Sequence, residues 1–174
     1  MKTLFGILLS GIITLSAAGQ GSQALYDAFP AMPSSLSNDD LQKVSKGVKL
    51  DNKLAVSLDE DHVSGTWFFP IGKIETKKSV ILIYGRYHDF EGDNGLLNGV
   101  IQTFNKKTGE PIPGGLQHYV FMTGEDALRR ESTVKWDGTT LSVTIVSYNR
   151  DTKEQTESES TTYKLSGDKL EFAQ

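Results

Sequence analysis

Ser79-Val80-Ile81-Leu82-Ile83-Tyr84-Gly85-Arg86-Tyr87 decides the fold class. The run is dominated by β-branched and aromatic residues, and no charge appears before Arg86, so it reads as a strand. Its apolar residues fall on both sides. Val80, Leu82 and Tyr84 share one face; Ile81, Ile83 and Tyr87 share the other. A strand apolar on both faces is buried on both, so something must cover the outside of the sheet. Leu97 to Phe104 repeats the pattern, with Val100 and Phe104 set against Leu97 and Ile101.

Working outward, the chain after Gly65 alternates with period two. Strands are expected near 65–71, 78–88, 97–105, 117–123, 130–136, 139–148, 156–166 and 168–173. Asp137-Gly138 and Gly167-Asp168 are two-residue hairpin turns. A longer loop spans Lys106 to Gly115. Sequential strands with short turns predict an all-β, antiparallel up-and-down meander, either an eight-stranded barrel or a sandwich. Alternation sets Val80/Leu82/Tyr84, Tyr119/Phe121, Val134/Trp136 and Leu141/Val143/Ile145 as the inner face.

Upstream, Ser37 and Asp40 have the spacing of a capping box, and Gly47 is a stop, which predicts a short helix carrying Leu41 and Val44. Val48-Lys49-Leu50 and Leu54 to Leu58 flank Asp51-Asn52, as a hairpin would. That helix, or the hairpin near residue 54, is the expected cover for the outer face. Residues 20–36 hold Gly21, Ser22, Pro30, Pro33, Ser34 and Ser35, and predict a flexible tether. Residues 1–19 read as a secretory signal peptide: Lys2, an apolar run from Leu4 to Leu15, then small residues before a cut near Gly19/Gln20. The expected organisation is therefore signal peptide 1–19, tether 20–36, and one domain over 37–174 with the helix and hairpin at 37–58. Export predicts a secreted or periplasmic location, with no membrane span once the signal is removed.

Composition narrows the function. The 174-residue chain carries 18 Lys and Arg against 22 Asp and Glu, net −4, and losing Lys2 makes it more acidic. Nucleic acid is not an expected partner. The chain has no Cys, which removes thiolate catalysis and thiolate metal sites and leaves core packing to stabilise an exported domain.

Ser64-Gly65-Thr66-Trp67 opens the first strand of the series. A Gly-x-Trp there, followed by about eight strands, resembles the calycin superfamily, which includes the lipocalins. The likeness covers roughly residues 60–173. It implies a barrel, with Gly65 and Trp67 as structural residues and the indole plugging one end. It further implies a basic residue near the last strand packed over that indole; Lys164 and Lys169 are the candidates here. The function implied is non-enzymatic binding of a small apolar or amphipathic molecule, with no cofactor. A protein- or glycan-interaction β module and a calycin-like cyclase or isomerase are the rival readings.

The residue-level candidates cluster in Tyr84 to Gly95. Tyr84, Arg86, Tyr87, His88 and Phe90, joined by Tyr119, Phe121 and Trp136 from neighbouring strands, are the expected ligand contacts. The same loop offers Asp89, Glu91 and Asp93 as alternating oxygen ligands for calcium, although the spacing departs from an EF-hand. His62, His88 and His118 are too scattered for zinc. Glu157 and Glu159 continue the face of Tyr163 and would point toward a barrel mouth. No nucleophile elbow, zincin helix or phosphate loop is present.

Overall fold

The computed structural model describes residues 17–59, 65–88, 96–114, 117–125 and 128–173; the side chains of residues 17–21, 88 and 117–119 lie outside the description. The elements run α1 (Ala17–Asp27), β1 (Ser35–Leu36), α2 (Asn38–Val44), α3 (Asn52–Ala55), β2 (Thr66–Glu75), β3 (Ser79–His88), β4 (Leu97–Asn105), β5 (Gln117–Glu125), β6 (Leu128–Trp136), β7 (Thr140–Asn149), β8 (Gln155–Ser166) and β9 (Lys169–Ala173). Strands β2 to β9 pair in sequence order, all antiparallel. The expected meander and its hairpins are present. Asp137 N donates to Thr140 O at 3.2 Å across the Asp137-Gly138 turn, where Gly138 takes φ +97°.

The sheet does not close as a barrel. Among the described residues, no ladder joins β9 to β2. Side chains connect the two ends instead. Thr76 Oγ1 donates to Asp168 Oδ1 at 2.8 Å, Lys78 N reaches the same oxygen at 3.3 Å, and Ser79 Oγ donates to the Asp168 carbonyl. The sheet also splays in the middle. Among the described residues, β5 and β6 pair only at Gly124↔Arg130 and Glu125↔Arg129. Beyond that point β1 takes the edge of β6, with Ser35 opposite Lys135 and Leu36 opposite Val134.

The inner face is filled. Phe69, Ile83, Ile101, Phe121, Val134, Leu141 and Val143 form one buried cluster. Leu41 of α2 joins it, so this helix packs inside the sheet and does not cover it. The expectation that α2 would be the outer cover is corrected accordingly: Leu36, Leu41 and Val44 all reach the inner cluster, and the helix fills the gap where β5 and β6 part. Four residues share one cross-strand row on this face. Phe69, Gly85, Gly99 and Phe121 are register partners on β2, β3, β4 and β5. A Cβ at Gly99 would lie 2.1 Å from the Phe121 ring, and one at Gly85 would lie 2.5 Å from Leu97. The two glycines let large side chains lie directly on the backbone.

The outer face of β2–β4 is buried too, as the sequence demands, but the cover is α1 with α3. Leu25, Tyr26 and Phe29 pack with Leu50, Ala55 and Leu58 against Phe68, Val80, Leu82, Tyr84, Val100 and Phe104. Three expectations change here. Residues 20–36 were expected as a tether; they hold most of α1 and all of β1. Leu25, Tyr26 and Phe29, at i, i+1 and i+4, form the apolar stripe that docks α1. The segment expected as a hairpin around Asp51-Asn52 is the single turn α3. Asp51 Oδ1 accepts from Lys53 N at 2.8 Å as its cap, and Ala55 and Leu58 are buried beneath it. The third change is the side of β3 that faces in: Ile81 and Ile83 are inner, and Val80, Leu82 and Tyr84 are outer. Alternation separates the two faces but cannot say which is which when both are apolar.

β2 is an edge strand, and Pro70 suits it because a proline cannot donate to a ladder. Its free edge is masked. Met32 N donates to Lys73 O at 2.9 Å, Lys73 N to Pro30 O at 2.8 Å, and Leu50 N to Phe68 O at 2.8 Å. No helix among the described residues is long and apolar enough to cross a membrane.

Candidate functional site

Among the described residues, the candidate ligand side chains lie on two opposite faces of the sheet. Tyr84 and Arg86 lie on the outer face of β3. Tyr84 Oη donates to Gln102 Oε1 at 3.1 Å, and burial, before any charge effect, pushes its phenol well above the ordinary tyrosine range. Arg86 pairs with Asp59 at 3.1 Å, both about three-quarters buried, and ties the end of the α3 segment to the sheet. Tyr87, Phe121 and Trp136 belong to the opposite, inner face, where Phe121 is fully buried. The backbones of His88 and Tyr119 sit in β3 and β5, but their side chains lie outside the described residues. Phe90, Asp89, Glu91 and Asp93 lie outside them altogether, as does His62. Among the described residues, no cluster of His, Asp and Glu could hold a metal ion. Glu157 and Glu159 do continue the face of Tyr163: they oppose Ser147 and Ile145 across β7, and both are exposed.

Trp67 is partly buried against the inner cluster. Its cation is Lys49, whose Nζ lies 3.5 Å from the ring centroid. Neither Lys164 nor Lys169 takes that place; Lys169 pairs with Glu171 at 2.9 Å. The cation comes from the segment before the sheet, because Leu50 is hydrogen-bonded to the β2 edge at Phe68, next to Trp67.

Among the described residues, the surface carries an apolar groove, a polar cleft and a smaller hydroxyl-lined depression. The first is an apolar groove of about 490 Å³ where the end of α1, the end of α2, α3 and β2 meet. Ala28, Pro30, Val44, Leu54 and Pro70 line it, with Lys49 and Asp51 adding charge. Val48, at its lip, is 87% exposed. The groove follows from the way the chain covers β2. Three segments reach the same edge and leave their apolar ends around Pro70.

The second is a polar cleft of about 620 Å³ at the far end of β6 and β7, on their outer face. Arg129, Arg150 and Lys153 border it with the carboxylates of Glu125, Glu131 and Asp151, around Tyr148. Arg129 sits directly across the ladder from Tyr148. Arg129 pairs with Glu131, and Arg150 lies 3.6 Å from Glu125.

The turn that carries Lys153 has a twin. Asn149-Arg150-Asp151-Thr152-Lys153-Glu154 and Asn105-Lys106-Lys107-Thr108-Gly109-Glu110 make the same hydrogen bonds. Each Asn side chain accepts from the backbone two and three residues on, at 2.9 and 3.0 Å in one turn and 2.9 and 3.2 Å in the other. Each Asn carbonyl accepts from residue five of the turn, at 2.9 and 2.8 Å, and each Glu N donates to the Thr hydroxyl at 3.3 Å. The fifth residue is left-handed in both: Gly109 at φ +75°, Lys153 at φ +59°. This repeated Asn-x-x-Thr-x-Glu is visible in the sequence, and only the 149–154 copy borders the second depression.

Comparison with protein-family models, curated proteins and solved structures finds no match to this chain. The site must be argued from its own geometry.

Proposed function

We propose that this is an exported, non-enzymatic binding protein that holds a small amphipathic molecule in the groove between α1, α2, α3 and β2. The single observation behind this reading is the groove itself. Its volume, about 490 Å³, falls in the range of small-molecule sites, and its lining is apolar with a few charged groups beside it. An apolar body would cover Val44, Leu54 and Pro70. A polar head would meet Lys49 or Asp51. Covering the exposed Val48 side chain contributes about 1.5 kcal/mol to such a complex.

In its finer form the reading takes the meander as a calycin-like barrel open along one side. The bonds from Thr76 and Ser79 to Asp168 stand near where a closing ladder would run. The ligand then sits outside the sheet, because Leu41 and Phe121 occupy the inside. Cleavage near Gly19/Gln20 is compatible with this arrangement, since Leu25, Tyr26 and Phe29 remain to anchor α1.

The test is a fluorescence titration with N-phenyl-1-naphthylamine. Val48→Asp alters an exposed lip residue and leaves the core intact. The expected result is a dissociation constant raised at least about fivefold by Val48→Asp, and again by Leu54→Gln. Equal affinity in wild type and both variants would move the ligand elsewhere.

A further inference from the structure

We infer that the outer face of β6–β8 is a second binding surface, and that it takes an acidic oligosaccharide with one anionic group seated between Arg129, Arg150 and Lys153. The two outer faces of the sheet are unlike. That of β2–β4 is apolar and covered by α1 and α3. That of β6–β8 is polar and carries two depressions along the same strands. One is the cleft of about 620 Å³ around Tyr148. The other, about 380 Å³, is lined by hydroxyls and one cation: Thr133, Lys135, Ser142, Thr144, Ser160 and Thr162. Thr144 Oγ1 and Ser160 Oγ lie 3.0 Å apart, one row of a hydroxyl array across β7 and β8. Hydroxyls that both donate and accept match a sugar, and an aromatic ring gives its C–H face a place to rest. Two depressions in line suit several sugar units better than one.

Lys153 adds a third cation to Arg129 and Arg150 in a cleft that also holds the carboxylates of Glu125, Glu131 and Asp151. A lysine in the left-handed region is strained, and glycine is not. The twin turn uses Gly109 at the same place with the same hydrogen bonds. The chain therefore keeps a cation at Lys153 against its own backbone preference, at the border of the cleft that also holds Arg129 and Arg150. Of the carboxylates beside the two arginines, Glu125 is half-exposed and Glu131 is 29% exposed. Such surface pairs are weak, and a ligand carboxylate or sulfate can replace them.

The experiment is calorimetric titration of the full chain with three hexasaccharides: oligogalacturonate, heparin-derived, and neutral cellohexaose. One acidic probe or both should bind, and the neutral one about tenfold more weakly or not at all. Binding of oligogalacturonate assigns a carboxylate; binding of the heparin fragment alone assigns a sulfate. Lys153→Gly should raise the melting temperature by about 2–4 °C while weakening the acidic probe about tenfold, as Arg129→Gln should also do without the thermal gain. The proposal is overturned if neither acidic probe binds, if the neutral probe binds equally well, or if affinity survives both substitutions. A melting temperature lowered by Lys153→Gly would count against it as well. This surface is separate from the apolar groove, so the two tests fail independently.

Discussion

Gly99 lies directly beneath the ring of a fully buried phenylalanine. Its missing Cβ is the space the Phe121 ring occupies, and Phe121 is fully buried. Gly99→Ala should cost about 1–3 kcal/mol through overpacking, because the ring has no solvent side to move toward. Urea denaturation measures this directly; a midpoint equal to wild type would mean that the Phe121 ring does not press on Gly99. Nothing in the sequence distinguishes Gly99 from a turn glycine except its place inside an apolar run, and that alone marks a close approach rather than a turn. Trp67 and Tyr87 were legible as strand aromatics. Which cation meets Trp67 was not, because Lys49 arrives from a segment whose course depends on backbone hydrogen bonding to the β2 edge.

At the scale of elements, α2 was readable and α1 was not. The capping box of α2 is present in full: Asp40 N donates to Ser37 Oγ at 3.2 Å, and Ser37 N to Asp40 Oδ2 at 3.1 Å. Two short residues three apart are a local signal, and local signals survive in sequence. α1 offers only Leu25 and Tyr26 as large apolar residues among alanine, glycine, serine and glutamine, with Phe29 just beyond its end, and its helicity rests on the sheet it covers. The role of α2 is equally tertiary. Asn38 Oδ1 accepts from Ser132 N at 3.3 Å and from the Thr123 hydroxyl, so it bridges β5 and β6 where they part. Ser37→Ala should cost about 1 kcal/mol. Asn38→Ala should cost about 1–3 kcal/mol, and hydrogen exchange at Ser132 should accelerate more than at Val143. Uniform acceleration over both strands would mean that Asn38 does not hold the split.

Over the whole molecule, stability should be confined at both pH extremes. On the acid side Asp137 is lowered by the amides of Thr139 and Thr140, Asp40 by the hydroxyl and amide of Ser37, and Glu75 by the Lys106 ammonium. Each is depressed in the fold, so the unfolded chain binds more protons as pH falls. Their contribution is present above about pH 4.5, the ordinary carboxylate range, and is lost as pH drops through the depressed values. On the alkaline side burial holds the phenols of Tyr84 and Tyr163 protonated past their ordinary value. Above about pH 10 the unfolded chain ionises first and stability falls. Melting temperatures from pH 2 to 11 should trace a plateau with both shoulders; Asp137→Asn, which keeps the accepting oxygen, should soften the acid one.

The architecture as a whole was legible as a meander because hairpin turns and alternation are local. What faces what was not, since β3 is apolar on both sides and only the arrival of α1 on one and α2 on the other decides. With the sheet filled, the ligand binds outside it. Amide chemical shifts during titration with N-phenyl-1-naphthylamine locate it. Val44, Gly47, Val48 and Leu54 should move, with Ile83, Ile101, Phe121 and Leu141 unmoved. Shifts confined to those last four would place the ligand within the sheet and contradict an external site.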